Sequence, residues 1–167
     1  MIKSNPSVIL ILALSFSLSP PVLSNDGVPV EATEGTNLQI VKNVYAGFAA
    51  GDMEAVLKDM SEMIVWMHPG KPDQIPFAGK FEGKAGVSRF FEIVFEQIDV
   101  LEQNIKSYID GGDSVVVIGY EHMRVKNTGR EYKSNWIHMY TLSDGKIVAF
   151  EEFIDTAELV SAFNPPQ

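Results

Sequence analysis

The stretch that most constrains the fold is Lys133 to Asp155, KSNWIHMYTLSDGKIVAFEEFID. Trp136, His138 and Tyr140 alternate with Ile137 and Met139, which is the period-two pattern of a strand. Ser143-Asp144-Gly145 then reads as a hairpin turn, a type I turn followed by Gly145 in the left-handed conformation. A three-residue loop there pairs Leu142 with Lys146 and sets His138 opposite Phe150 and Trp136 opposite Glu152. A two-residue loop sets His138 opposite Glu151 instead, so which carboxylate faces inward depends on the register. One face of the hairpin carries Trp136, His138, Tyr140, Val148, Phe150, Glu152 and Ile154. A large aromatic face with three polar handles is what a small-molecule pocket needs.

The rest of the chain supplies layers to cover that face. At 167 residues and 46% hydrophobic content, the chain fits one domain with its own core. It contains no cysteine, which excludes disulfides, cysteine nucleophiles and thiolate metal sites. Its formal charge is −9 without a basic block, a poor match to nucleic acid or an anionic membrane surface.

Residues 1–24 read as a secretory signal peptide: Lys3, an apolar run from Val8 to Leu18, then Pro20, Pro21 and Val22-Leu23-Ser24 at the cleavage positions. This implies a periplasmic or secreted protein with no membrane contact after processing. Residues 25–36 are expected to be a flexible leader, 37–163 the domain and 164–167 a tail.

Within the domain, Thr36 or Asn37 is positioned to cap a helix bearing Leu38, Val41, Val44, Tyr45 and Phe48. Ala50-Gly51-Asp52 ends it and caps a second, lined by Met53, Val56, Leu57 and Met60. Met63 to Met67, including Trp66, reads as a short strand broken by His68-Pro69-Gly70. Residues 69–83, rich in Pro and Gly, read as a long loop pinned by Phe77 and Phe81. A third helix over Ala85 to Gln97 buries Phe90, Phe91, Val94, Phe95 and Ile98. Strands follow near 100–110, 114–125, 131–142 and 146–155, with a closing helix from Thr156 to Phe163. Pairing Lys126 with Arg130 extends the inward face to Val116, Ile118, Tyr120 and His122. Helices followed by a meander argue for an α+β layer, a curved antiparallel sheet wrapped on three N-terminal helices around one deep pocket.

Four segments, GDMEAVLKDMSEMIVWMHP, IPFAGKFEGKAGVSRFF, GGDSVVVIG and WIHMYTLSDGKIVAFEEFIDTAEL, occur here in an order that resembles SnoaL-like and ketosteroid-isomerase-like members of the NTF2-like superfamily. The resemblance covers about residues 37–163. It implies a cone-shaped fold with one pocket. In the isomerases the general base is an aspartate before a proline after the first strand, a position that falls on His68. A second pocket acid falls near His138 if the hairpin loop is one residue shorter, and a helical tyrosine donor near Tyr45 with a one-residue shift. Histidines thus stand where those isomerases carry carboxylates, a departure from steroid isomerisation. Scytalone dehydratase and polyketide cyclases of the superfamily use His, Asp and Tyr for proton transfer.

The expected catalytic set is His68 as base, with His138 and Glu152 as the orienting acid pair. Tyr45, Trp66, Tyr120, Trp136, Tyr140 and Phe150 are the expected substrate-binding residues. Glu151 and Asp155 read as a solvated edge and a helix cap. No short-range ligand spacing supports a metal, and neither a phosphate loop nor a dinucleotide fingerprint is present, so no metal or cofactor is expected. The function implied is an isomerase, cyclase or dehydratase acting on a small apolar carbonyl or polyketide-like compound. The alternative is a non-catalytic binding protein for a small hydrophobic ligand. The apolar outer face, with Ile137, Met139, Ala149 and Phe153, points to a homodimer.

Overall fold

The computed structural model describes residues 35 to 164; the signal-peptide segment, nearly all of the leader and the last three residues lie outside them. The elements run α1 (Thr36–Ala50), α2 (Met53–Leu57), β1 (Met60–His68), β2 (Gly79–Glu82), α3 (Gly83–Gln97), β3 (Ile98–Asp110), β4 (Ser114–Val125), β5 (Glu131–Ser143), β6 (Lys146–Ile154) and α4 (Thr156–Phe163). The strands form one curved, unclosed sheet in the order β2-β1-β6-β5-β4-β3. All pairings are antiparallel except β1 with β6, which is parallel.

The helix boundaries follow backbone chemistry. Gly51 takes the left-handed conformation that closes α1 (φ 68°), and the Asp52 side chain accepts from Ala55 N to start α2. Neither Thr36 nor Asn37 caps α1. Gly35 occupies that position without a side-chain bond, and Asn37 instead donates to the Gly112 carbonyl across the domain. Met60 belongs to β1, not to the second helix, and Ile98 opens β3. The loop after His68 is shorter than expected, because residues 79–82 add an edge strand on β1. On α3 the core face is Val87, Phe90 and Phe91, whereas Phe95 is exposed and stacks on Phe48 and Phe91.

Two registers differ from expectation, and both matter for the site. In the β5–β6 hairpin, Asp144 (φ 51°) and Gly145 (φ 70°) both have positive φ, which makes a two-residue loop pairing Ser143 with Lys146. A bulge then slips one residue at Val148, so that Thr141 pairs with Ala149 and His138 with Glu152. Neither anticipated pairing of His138, with Phe150 or with Glu151, occurs. Because of the bulge, Ile147 takes the buried place assigned to Val148.

Between β4 and β5 the pairing is also shifted by one, with Gly119 opposite Trp136 and Val117 opposite His138. The inward face of β4 is therefore Val115, Val117, Gly119, Glu121, Met123 and Val125. The reason is steric. A Cβ on Gly119 would lie 2.1 Å from the Trp136 ring, so only glycine lets that indole lie flat on the neighbouring strand.

Candidate functional site

The helices and the sheet enclose an aromatic cavity whose empty space, its open mouth included, is about 750 Å³. Its walls come from Tyr45 on α1, Trp66 on β1, Phe90 and Phe91 on α3, Tyr140 on β5 and Phe150 on β6. Trp66 and Phe150 stack at 3.6 Å between centroids across the parallel β1–β6 pair. Polar groups enter at two places.

The first polar group is built on three strands. His68 closes β1, His138 sits mid-β5 and Glu152 lies opposite it on β6. All three are buried, at 3%, 9% and 8% exposure. Glu152 stands between the histidines, with Oε1 3.2 Å from His138 Nε2 and Oε2 3.3 Å from His68 Nε2. Tyr45 Oη lies 2.7 Å from His138 Nδ1, and His68 Nδ1 lies 2.8 Å from the Pro69 carbonyl. The tautomers follow from what each partner can do. A carbonyl only accepts, so His68 carries its proton on Nδ1. His138 donates through Nε2 to Glu152 and accepts the Tyr45 hydroxyl at Nδ1. His68 Nε2 and Glu152 Oε2 are then two acceptors facing each other, and the pair can take up one proton between them.

Electrostatics prepares that pair. Burial holds the His68 pKa below its ordinary value, outweighing the attraction of Glu152. Burial pushes Glu152 the other way, upward, but the charge and hydrogen bond of His138 and the charge of His68 outweigh it, leaving the carboxyl below its usual value. Both groups are therefore unprotonated near neutral pH. Burial first, then neighbouring Tyr140, raises the Tyr45 hydroxyl well above its normal range, so it serves as a donor.

The second polar group escapes the sequence reading altogether. Glu121 on β4 lines the same cavity, with Gln103 on β3 and Tyr132 on β5 beside it. It is 6% exposed, and among the described residues no cation pairs with it. Burial, reinforced by Glu152, raises its pKa to about 8. The signal for it was the β4 alternation, which places Glu121 in phase with Val115, Val117 and Met123.

Among the expected residues, Tyr45, Trp66, His68, His138, Tyr140, Phe150 and Glu152 line the cavity. Tyr120 does not. The β4 register turns it to the other face of the sheet, where Lys106 Nζ lies 5.8 Å from its ring centre. Trp136 is not on the lining either. It is buried behind His138, stacked at 3.9 Å, and backs the imidazole. His122, taken with Tyr120 as inward-facing, pairs on the outer face with Glu131 at 2.7 Å. Glu151 is exposed and Asp155 caps α4 through Ala157 N, as expected. Among the described residues, no group of three His, Asp or Glu side chains has the geometry to hold a metal ion.

A profile of the SnoaL-like domain matches residues 41–150. None of the curated proteins matches the chain. Among solved structures, an NTF2-like protein from Burkholderia xenovorans LB400 is 30% identical, with a TM-score of 0.70 over 77% of this chain and 96% of that one. An NTF2-like protein from Burkholderia thailandensis E264 is 28% identical, with a TM-score of 0.72 over 78% and 99%. TerC, crystallised with polyporic acid, is 26% identical, with a TM-score of 0.67 over 77% and 98%.

Proposed function

The chain belongs to the SnoaL-like family, and we propose that it moves a proton on a small, largely apolar carbonyl compound held in its cavity, as an isomerase, cyclase or dehydratase does. The observation that carries this reading is the buried Glu152 between two histidines, one neutral at neutral pH and the other fixed by Tyr45. An ionised carboxylate in an apolar site is costly; such an arrangement suits a general base that takes a proton from carbon. Glu152 with His68 is the base unit in this reading. A proton taken by the carboxylate is shared with His68 Nε2. His138 and Tyr45 hold the carboxylate's orientation. The crystallisation of the similar protein TerC with polyporic acid supports a small organic ligand for this chain as well.

One observation favours a second reading, a binding protein without turnover. Both His68 nitrogens face protein acceptors, the Pro69 carbonyl and Glu152. Deuterium uptake at the carbon next to the carbonyl of 2-tetralone in D₂O, followed by proton NMR, separates the two. The expected result is exchange well above the buffer rate with the wild type and a loss of about 10²-fold or more in Glu152→Gln. Binding of the ketone without accelerated exchange would establish the second reading.

A further inference from the structure

Glu121 is the buried group that the base unit does not use. It lines the same cavity from β4, beside Gln103 and Tyr132, and makes no hydrogen bond or ion pair with His68, His138 or Glu152. The one other buried carboxyl among the described residues, Glu152, has two histidine partners; this one has no basic partner. From β5 the Tyr132 hydroxyl hydrogen-bonds it, and from β6 Glu152 acts on it through charge. The α3 residues at the cavity, Phe90, Phe91 and Val94, carry no charge. A carboxyl so placed keeps its proton, and a neutral carboxylic acid has an O–H to donate that a carboxylate lacks.

We infer that Glu121 is a specificity-determining residue: its carboxylic acid donates a hydrogen bond to the oxygen of a neutral carbonyl ligand and so selects that ligand over an apolar analogue of the same shape. The inference rests on the pocket reading above and deepens it, giving the ligand a second polar contact in the same apolar cavity. Ionisation of Glu121, at about pH 8, removes the donor and sets a negative charge against the ligand oxygen. Selection is therefore strong below that pH and lost above it.

The test is a binding measurement, independent of any proton transfer. Equilibrium dialysis compares 2-acetylnaphthalene with 2-isopropenylnaphthalene, in which a CH₂ replaces the carbonyl oxygen. At pH 6 the wild type should prefer the ketone by about threefold to tenfold, the range of one net hydrogen bond. Glu121→Gln keeps a donor and should keep the preference; Glu121→Met should lose it. At pH 9.5 the wild type should lose the preference while Glu121→Gln retains it. If Glu121→Met does not fold, the pH comparison between wild type and Glu121→Gln decides alone. A preference that survives in Glu121→Met, or in the wild type at pH 9.5, would overturn the inference, as would failure of the ketone to bind. If Glu152→Gln exchanges deuterium normally but the preference follows Glu121, only the base assignment falls. If exchange depends on Glu152 but the preference ignores Glu121, only this inference falls.

Discussion

Two carboxyls in one cavity are driven apart by their surroundings. Glu152 has two imidazoles and titrates low; Glu121 has only a tyrosine and titrates high. The difference has a consequence for stability. An unfolded glutamate loses its proton near 4.5, while Glu121 in the folded chain keeps it to about 8. Its folded pKa is raised, so its contribution is full below about pH 4.5 and is lost as pH rises through about 8. Glu121→Gln has no proton to lose. Its stability relative to the wild type should therefore improve between pH 5 and pH 8, on the order of a few kcal/mol. Urea unfolding of the two proteins at both pH values measures this; an unchanged difference would mean that Glu121 is ionised in the folded state.

At the scale of elements, strand register decides which side chains meet. Much of it was legible in the sequence. The period-two alternation from Trp136 to Tyr140 gave the inward face of β5, and Gly51-Asp52 marked the junction of α1 and α2. His68, His138 and Glu152 were legible as a set because each sits in phase with aromatic neighbours. What was not legible is the one-residue slip. The Val148 bulge has no glycine to announce it, and it converts a register that would oppose His138 and Glu151 into one that opposes His138 and Glu152. The loop after β4 hid the other slip, and with it Glu121. Gly119 held the clue, since a glycine inside a strand marks close approach by another group. Gly119→Ala forces its methyl into the Trp136 ring, which is sandwiched against His138. It should destabilise the domain by about 1–3 kcal/mol, the usual cost of overpacking. It should also displace His138 from Glu152, readable as changed imidazole signals in NMR. A variant as stable as the wild type would contradict the packing described.

At the scale of the whole molecule, the sheet has one face committed to the cavity and another with apolar side chains in solvent. Ile137 and Phe153 are 40% and 48% exposed and are register partners across β5 and β6; Ile109 on β3 is 52% exposed. We propose that this face is covered by a second copy of the chain. Sedimentation should show a dimer at micromolar concentration, and Phe153→Asp should shift it to monomer with the fold intact; a wild-type monomer would contradict the proposal. In the proposed chemistry a proton enters the cavity at Glu152 while Glu121 keeps its own. The most direct test is the pH–rate profile of 2-tetralone deuterium exchange in the wild type, Glu152→Gln and Glu121→Gln. The wild type should give a bell-shaped profile. Its acid limb falls as the His68–Glu152 unit takes up its proton, and its alkaline limb falls near 8 as Glu121 ionises. Glu121→Gln should lose only the alkaline limb, and Glu152→Gln should lose the rate throughout. A rate that simply rises with hydroxide and is the same in Glu152→Gln would contradict this chemistry.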